Sequence, residues 1–407
     1  MSKNNEHSPN PGPLSGIRVL DLSSVVMGPF ATQMLADLGA DVIKVEPPAG
    51  DGMRKVGPMV HDDMGALYLH LNRNKRSVVL DLKTEQGRKA CLALAKTVDI
   101  FLYNVRPQAM ARLGLSYEEV AAENPAIVYV GAYGFGNDGP YAGKPAYDDL
   151  IQGMTGIPVL YEKNSGDEPR YTPLTLADRT IGLQVAIACL AGVLQSKMSG
   201  KGQSIEIPMF EGMAQFVLGD HLGGKTFVPS QGDMGYARLL AHHRKPYKTR
   251  DGYISVLIYN DKHWKGFLTL INREDLLEGS IFSTHTVRAE NIGDVYSFVA
   301  QVLESNSSQY WLNLLANADI PAAPLYSVED LLEDPHLKAV SQVVEMDHPT
   351  EGRIRTPGTL GTYSKTPLKI YRHAPNLGEH TEEVLKESGL DQSLLDELIK
   401  NERKWAR

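Results

Sequence analysis

Short apolar runs alternate with segments of helical periodicity through the first half of the chain. The runs have the length of buried strands, and the segments between them are long enough to cross over a sheet. Strands are predicted at Ile17–Ser23, Asp41–Glu46, Ser77–Leu82, Ile100–Asn104, Ile127–Tyr133 and Gln203–Ile207. Because parallel neighbours need crossover connections, the pattern predicts an α/β fold with a doubly wound parallel sheet.

The predicted helices lie between these strands and after them. They are placed at Phe30–Leu38, Glu85–Thr97, Tyr147–Met154, Asp178–Lys197 and Met209–Leu222. Pro29 stands where the first helix begins, and Gly39 is a typical residue to end it. The glycines of Ser199–Gly202 are expected to end the long helix in the same way.

The pattern changes near Gly223, where Gly and Pro recur and basic residues cluster at His242–Lys245. The segments that follow, to about Pro324, have the pattern of a smaller α+β unit. The chain is therefore divided into a polar, disordered tail (1–13), the first part of a large domain (14–223), a small α+β domain with its linkers (224–325) and a return to the large domain (326–407).

Composition narrows the class of protein. The 407 residues are 42% hydrophobic and 22% charged, which is typical of a globular protein with two domains. A formal net charge of −8 disfavours a nucleic-acid partner, although it leaves room for a local basic pocket. No apolar run approaches the roughly 18 residues of a membrane span, and the first residues lack the apolar core of a signal peptide. A cytoplasmic protein without a membrane segment is predicted.

The two cysteines, Cys91 and Cys189, lie in apolar runs and are expected to be buried thiols. Neither a CxxC nor an HExxH motif occurs, so no metal site is predicted. A GxGxxG motif is present at Gly134–Gly139, but Pro140 and Pro145 follow it. Since no helix can begin there to receive a pyrophosphate, a nicotinamide-dependent enzyme is only a minor alternative.

The first strand-to-helix turn, Ser23–Pro29, is the natural place for a ligand, because open α/β sheets bind at the carboxyl ends of their strands. Its backbone amides could hold a phosphate or a carboxylate, or the segment could be a tight turn and nothing more. Basic residues also lie beside strand ends and could surround an anionic cofactor or be solvated. They are Arg54, Lys75, Arg76, Lys83, Arg106, Arg112 and Lys144.

Asp178 stands at the predicted start of the long apolar helix. It could be the N-cap of that helix. It could also be a carboxylate that the helix N-terminus keeps ionised, able to attack an acyl carbon at neutral pH. The two roles are compatible. Tyr147, Asp148 and Asp149 form a polar cluster at the start of another helix, and at most one of the adjacent aspartates can face a given site.

Several separated motifs make the chain resemble family III CoA-transferases, the CaiB/BaiF group. In order they are LSGIRVLD (14–21), MGP (27–29), LGADVIKVE (38–46), NRNKRS (72–77), GKGQ (200–203), PY with DGY (246–253) and LGEHT (377–381). The resemblance extends from Leu14 to about Leu390. It implies a large Rossmann-like domain with a small domain inserted, and two subunits that interlock as a homodimer.

The resemblance also implies an activity in acyl-CoA metabolism. Asp178 would attack an acyl-CoA thioester, form a mixed anhydride and then an aspartyl-CoA thioester, and pass CoA to a free carboxylic acid. Coenzyme A and acyl-CoA would be substrates, with no tightly bound cofactor, and Tyr147 and Asp148 would line the acyl site. CoA would contact Val26, Met27, Leu80, Lys83, Asn104, Val105, Arg106, Arg112 and Lys144.

Three departures from the family pattern bear on specificity. Pro47 follows Glu46 where some members have an arginine that contacts adenine. The basic segment His242–Lys245 replaces the glycine-rich loop of formyl-CoA transferases, and the hypothesis is that His243 or Arg244 receives an acceptor carboxylate, for instance of succinate. Tyr147 stands where 2-methylacyl-CoA racemases have a histidine, and a tyrosine with a pKa of about 10 is a poor acid or base near neutrality. Racemase-type isomerisation is therefore the second hypothesis, and non-catalytic binding of CoA esters is a third.

Overall fold

The structure is a computed structural model that describes residues 12–405, with side chains described up to residue 401. All but the last two residues of the predicted tail lie outside the described residues. The chain divides into two compact units. The first contains the chain up to Thr155, Pro173–Gln215 and the chain from Pro335, and the second contains Gly156–Thr172 and Phe216–Asp334. The domain limits read from the sequence stay predictions.

A six-stranded sheet forms the centre of the first unit, with the strand order β3-β2-β1-β4-β5-β6. Its strands are β1 Arg18–Asp21, β2 Asp41–Glu46, β3 Lys75–Val79, β4 Ile100–Tyr103, β5 Val128–Tyr133 and β6 Gln203–Pro208. All five pairings between neighbours are parallel. The predicted α/β fold with a parallel sheet is confirmed.

The remaining strands form two smaller antiparallel sheets, one in each unit. They are β7 Tyr247–Lys248, β8 Tyr253–Val256 and β9 Ala322–Pro324 in the second unit, and β10 Val343–His348 and β11 Gly352–Pro357 in the first. The α-helices are α1 Met27–Asp37, α2 Ala66–Asn72, α3 Glu85–Ala95, α4 Pro107–Arg112, α5 Tyr117–Glu123, α6 Asp148–Met154, α7 Ile157–Ser165, α8 Leu176–Ser199, α9 Met209–His221, α10 Ala237–Leu240, α11 Asp261–Leu270, α12 His285–Glu290, α13 Ile292–Leu303, α14 Ser308–Asn317, α15 Asp330–Glu333, α16 Pro335–Ala339, α17 Thr381–Glu387 and α18 Gln392–Trp405.

Two element boundaries differ from the sequence prediction for identifiable reasons. Strand β3 begins at Lys75 instead of Ser77, because the side chains of Lys75 and Arg76 are buried in ion pairs, which their charge alone does not reveal. Helix α1 begins at Met27, so Pro29 is its third residue. A proline is tolerated there because the first amides of a helix have no partner within it.

The core of the first unit packs α3 and the C-terminal helices against the sheet, through residues such as Leu94, Phe101, Tyr129 and Leu385. Cys91 is part of this core and Cys189 is buried in α8, so both predicted buried thiols are confirmed. In the second unit a separate core forms around Trp264, Phe267, Val299 and Trp311, among others. Each unit therefore has a hydrophobic core of its own.

Helix α8 is the only helix in the described part of the chain that is long and apolar enough to cross a membrane. It packs against α1 and the sheet, and its buried residues include Ile181, Val185 and Val193. A Cβ atom at Gly182 would lie 2.9 Å from the carbonyl oxygen of Met27, so glycine permits the close approach of α8 to α1. These contacts identify α8 as a core helix of the first unit.

Candidate active site

A cavity of about 300 Å³ lies at the carboxyl ends of β1, β2 and β3. It is therefore where the sheet topology predicts a ligand. Its walls come from the first turn, from the ends of β2 and β3 with the loops that follow, and from Val105 and the C-terminal half of α4 with its C-cap. The lining residues are Leu22, Ser23, Ser24, Lys44, Val45, Glu46, Pro47, Gly50, Asp51, Gly52, Leu80, Asp81, Leu82, Lys83, Val105, Met110 and Leu113.

The first turn is strained and is braced from two sides. Val25 has φ +71°, a left-handed conformation that is unfavourable for a β-branched residue. Its amide donates to Asp51 Oδ1 at 3.2 Å. The amide of Ser24 donates to Asn104 Oδ1 at 3.0 Å, and Asn104 Nδ2 donates to the Ser24 carbonyl at 2.7 Å. Such held strain accompanies functional sites, which favours the ligand-binding interpretation of this turn over a purely structural one.

Three of the predicted CoA-contacting residues line this cavity: Leu80, Lys83 and Val105. The other six are elsewhere or otherwise engaged. Val26 and Met27 are buried at the start of α1, and Asn104 braces the turn. Arg106 Nη1 donates to the Gly143 carbonyl at 3.0 Å. The Lys144 ammonium lies 4.4 Å from the centre of the Tyr141 ring. Arg112 is exposed at the end of α4. The contacts of all nine with CoA stay predictions.

Three other basic residues near strand ends are not free to bind an anionic ligand. Arg54 pairs with Glu46 at 2.7 Å, Lys75 with Asp21 at 3.2 Å and Arg76 with Asp41 at 2.6 Å. Arg54 and Lys75 are fully buried and Arg76 is 6% exposed. Because these three cations are buried and already paired with carboxylates, they fit neither alternative drawn from the sequence, a site around an anionic cofactor or a solvated surface.

Sequence reasoning missed Lys44 and Asp51, which connect the turn to the end of β2. Lys44 Nζ donates to the Ser23 carbonyl and to Asp51 Oδ2, both at 2.9 Å. Although burial opposes its charge, the Asp51 carboxylate raises the pKa of Lys44 above its ordinary value. The available signal was a lysine between apolar residues in the middle of the strand DVIKVE, since a charge in a buried strand needs a partner.

Asp178 lies inside the first turn of α8, whose N-cap is Thr175, so the prediction that Asp178 is the N-cap is wrong. Its backbone amide donates instead to Asp148 Oδ2 at 2.9 Å. The carboxylate of Asp148, from the start of α6, thus satisfies a helix N-terminal amide that a capping side chain would otherwise bind. The side chain of Asp178 is left available for chemistry.

The surroundings of Asp178 disfavour its charged form. Burial raises the pKa of Asp178 to about 7, the negative charge of Asp148 adds to the increase, and Arg179 opposes it. The expectation that the helix N-terminus keeps this carboxylate ionised at neutral pH is therefore corrected, because only part of the population is ionised near pH 7. A carboxylate that is half ionised near neutrality is more basic than an ordinary aspartate, as catalytic carboxylates often are.

The two residues predicted to line the acyl site, Tyr147 and Asp148, have different surroundings in the structure. Asp148 is half-buried beside Asp178, and its Oδ1 accepts a hydrogen bond from Gln152 Nε2 at 2.6 Å. Tyr147 is 68% exposed and Asp149 is exposed. Only one of the adjacent aspartates therefore faces Asp178, as the sequence predicts. Their contact with an acyl group stays a prediction.

Comparison with known proteins places this arrangement in a family. The sequence profile of CoA-transferase family III matches residues 14–381. The chain is similar to the succinyl-CoA:glutarate CoA-transferase of Homo sapiens, with 31% identity over 379 residues, which are 92% of this chain and 86% of that protein. It is 32% identical to the succinate–glutarate CoA-transferase of Agrobacterium fabrum over 386 residues, 92% of this chain and 95% of that protein. A crystal structure of a CaiB/BaiF family protein from Brucella suis has a TM-score of 0.76 and 30% identity, and the match covers 93% of this chain and 100% of that one.

Proposed function

We propose that Asp178 is the nucleophile of this chain, which belongs to CoA-transferase family III and is an acyl-CoA:carboxylate CoA-transferase. The observation that carries the proposal is the environment of Asp178 in the first turn of α8. Burial and the neighbouring charge of Asp148 raise its pKa to about 7, and its carboxylate is not used to cap the helix. A basic carboxylate of this kind is suited to covalent catalysis.

The proposed reaction proceeds through four acyl transfers. A carboxylate oxygen of Asp178 attacks the thioester carbon of the donor, and the C–S bond breaks to release CoA thiolate and leave a mixed anhydride. The thiolate then attacks the Asp178 carbonyl carbon and expels the donor as a free carboxylate. The acceptor carboxylate attacks the resulting aspartyl-CoA thioester to give a second anhydride, and the released thiolate attacks its acceptor side, which regenerates Asp178.

The proposed acceptor is a dicarboxylic acid. This is supported by the names of two relatives, which act on succinate or its CoA ester and on glutarate. The test is to mix succinyl-CoA with glutarate and measure glutaryl-CoA. We expect product only when the acid is present, and no solvent deuterium at the carbon next to the thioester. Deuterium uptake from a 2-methylacyl-CoA without any acceptor would instead favour racemase-type isomerisation.

The cavity at the ends of β1, β2 and β3 is proposed to bind CoA. Lys83 is exposed at its edge, where an ammonium can meet a phosphate. Replacing Lys83 with glutamine is expected to raise KM for succinyl-CoA about fivefold, the effect of roughly 1 kcal/mol lost from an exposed ionic contact. The change should leave KM for glutarate unaltered in steady-state kinetics.

Lys89→Gln is the matched control for this change, because Lys89 is exposed on α3 and does not line the cavity. Equal values of KM for succinyl-CoA in both variants would contradict the assignment of the cavity.

The raised pKa of Asp178 predicts the pH dependence of the first step. Only the ionised carboxylate attacks, so the rate of adduct formation from succinyl-CoA should rise about tenfold per pH unit below neutrality and level off above a midpoint near 7. Single-turnover measurements without acceptor follow this step alone. Asp148→Asn should shift the midpoint to lower pH, because a negative charge that disfavours ionisation is removed. A rate that does not change between about pH 5 and pH 9 contradicts this role for Asp178.

A cytoplasmic homodimer is the remaining part of the proposal. Helix α8 exposes the apolar side chains of Ile187, Leu194 and Met198, each by more than 60%, and a second copy of the chain would cover them. A molar mass of a single chain in light scattering at micromolar concentration would contradict the dimer.

A further inference from the structure

A second cleft, of about 360 Å³, lies within the second unit. It is formed where α10, the segment after it, strand β8 and helix α13 meet. Its lining residues are Arg238, Arg244, Lys245, Pro246, Tyr247, Ser255, Val256, Leu257 and Tyr296. A cleft of this volume is large enough for a small organic acid or for one end of a larger substrate.

The charges that line this cleft are all positive. Arg238, Arg244 and Lys245 contribute three cations, and no carboxylate is among the lining residues. None of the three forms an ion pair with a carboxylate in the described part of the chain, in a protein whose net charge is −8. Cations placed together without counter-charges repel one another, and a bound anion removes that repulsion.

The backbone that carries these cations is held in place. Asn164 Nδ2 donates to the carbonyls of Leu239 and Ala241 at 3.1 and 2.9 Å, which fixes the end of α10. The amide of Arg244 donates to the Ala241 carbonyl at 2.9 Å, so the next turn is closed as well. Arg238 Nε donates to the Tyr296 hydroxyl at 3.0 Å, which orients the guanidinium at the wall of the cleft.

Strand β8 contributes one polar side chain, Ser255, to the cleft, beside the apolar Val256. Side chains alternate along a strand, so Ile254 points into the hydrophobic core and is fully buried, whereas Ser255 is exposed toward the cleft. The hydroxyls of Ser255, Tyr247 and Tyr296 are donors that can complete the coordination of an oxyanion. The cleft thus combines three cations with neutral donors, and its lining contains no acidic group.

We infer that this cleft binds the anionic end group of a substrate, a carboxylate or a phosphate, with Arg244 and Lys245 as its main ligands. The inference rests on the proposed function, since a dicarboxylic acid and CoA both carry such a group. A guanidinium binds either oxyanion through two parallel hydrogen bonds. Of the two residues that the sequence hypothesis offered for an acceptor carboxylate, Arg244 lines the cleft and His243 does not.

The test compares Arg244→Gln and the double variant Arg244→Gln/Lys245→Gln with Arg250→Gln. Arg250 lies six positions after Arg244, is exposed and does not line the cleft. It therefore controls for the loss of one positive charge. Both target residues are exposed, and the variants should fold as the parent does. Steady-state kinetics are measured with glutarate and with pentanoate, a monocarboxylic acid of the same length, as acceptors for succinyl-CoA.

If the anion is the second carboxylate of the acid, KM for glutarate should rise at least about tenfold while KM for pentanoate is unchanged, and KM for succinyl-CoA, whose acyl group also carries a free carboxylate, should rise as well. If it is a phosphate of CoA, KM for succinyl-CoA should rise and KM for glutarate should not. Unchanged constants in the double variant overturn the inference. Adduct formation on Asp178 without acceptor is measured in the same variants, so a failure of the proposed nucleophile is recognised separately from a failure of the cleft.

Discussion

Replacing Asp178 with asparagine is expected to reduce CoA transfer from succinyl-CoA to glutarate by on the order of 10⁴-fold or more. The amide has no anionic oxygen to attack the thioester, and a neighbouring carboxylate cannot take over because Asp148 is already bound to the amide of residue 178 and to Gln152. The measurement is the rate of glutaryl-CoA formation at saturating substrates. Activity within tenfold of the parent protein would exclude Asp178 as the nucleophile.

Two controls separate this effect from a loss of structure. Asp149→Asn makes the same chemical change in an exposed carboxylate and should leave the rate unaltered. The stability of Asp178→Asn should also exceed that of the parent above neutral pH. The raised pKa of Asp178 means that ionisation destabilises the folded protein progressively as pH rises from about 4 to 7, and asparagine removes that penalty. The melting temperature at about pH 8 should therefore increase by a few degrees.

Replacing Arg54 with leucine is expected to produce the largest loss of stability, about 3–5 kcal/mol. Arg54 donates to both carboxylate oxygens of Glu46 at 2.7 Å and to the Pro375 carbonyl at 3.2 Å, and its guanidinium lies 3.9 Å from the centre of the Tyr68 ring. Burial alone would raise the pKa of Glu46, yet Arg54 holds it below the ordinary value. Without Arg54 a buried negative charge loses its partner, and the midpoint of urea denaturation followed by circular dichroism should fall.

The matched control for this change is Arg353→Leu. Arg353 also pairs with a glutamate, Glu345, at 2.9 Å, but its side chain is 66% exposed. The exposed pair should contribute no more than about 1 kcal/mol, because water screens it. Equal losses of stability in the two variants would show that burial of the Arg54 pair is not what makes it important.

The fold could be predicted to the extent that apolar patterning records it. Strand β2 was predicted at its observed limits and β5 to within one residue, because their buried residues are mostly apolar. The predicted start of β3 was two residues too late, because the charges of Lys75 and Arg76 are typical of surface residues. Their burial depends on ion pairs with Asp21 and Asp41. Those partners are more than thirty positions away in the chain, and no local pattern connects them.

The residues of the site could be predicted from the sequence better than the pKa of Asp178 could. Asp178 could be selected from the motif resemblance and from its place at the start of an apolar helix. The increase in its pKa could not, because it depends on burial and on Asp148, thirty residues earlier in the chain. The cationic cleft is a second example. The cluster of basic residues after α10 can be recognised in the sequence, but the cleft forms only because the fold brings β8 and α13 next to that cluster.

If Asp178 is the nucleophile, it carries the acyl group and then CoA during each turnover, and this covalent intermediate can be identified directly. The protein is incubated with succinyl-CoA in the absence of an acceptor, quenched and digested, and the peptide that contains Asp178 is examined by mass spectrometry before and after treatment with hydroxylamine. We expect a CoA thioester or anhydride on Asp178, converted to a hydroxamate by hydroxylamine and absent from Asp178→Asn. An unmodified Asp178 peptide from protein that still produces glutaryl-CoA would contradict this expectation.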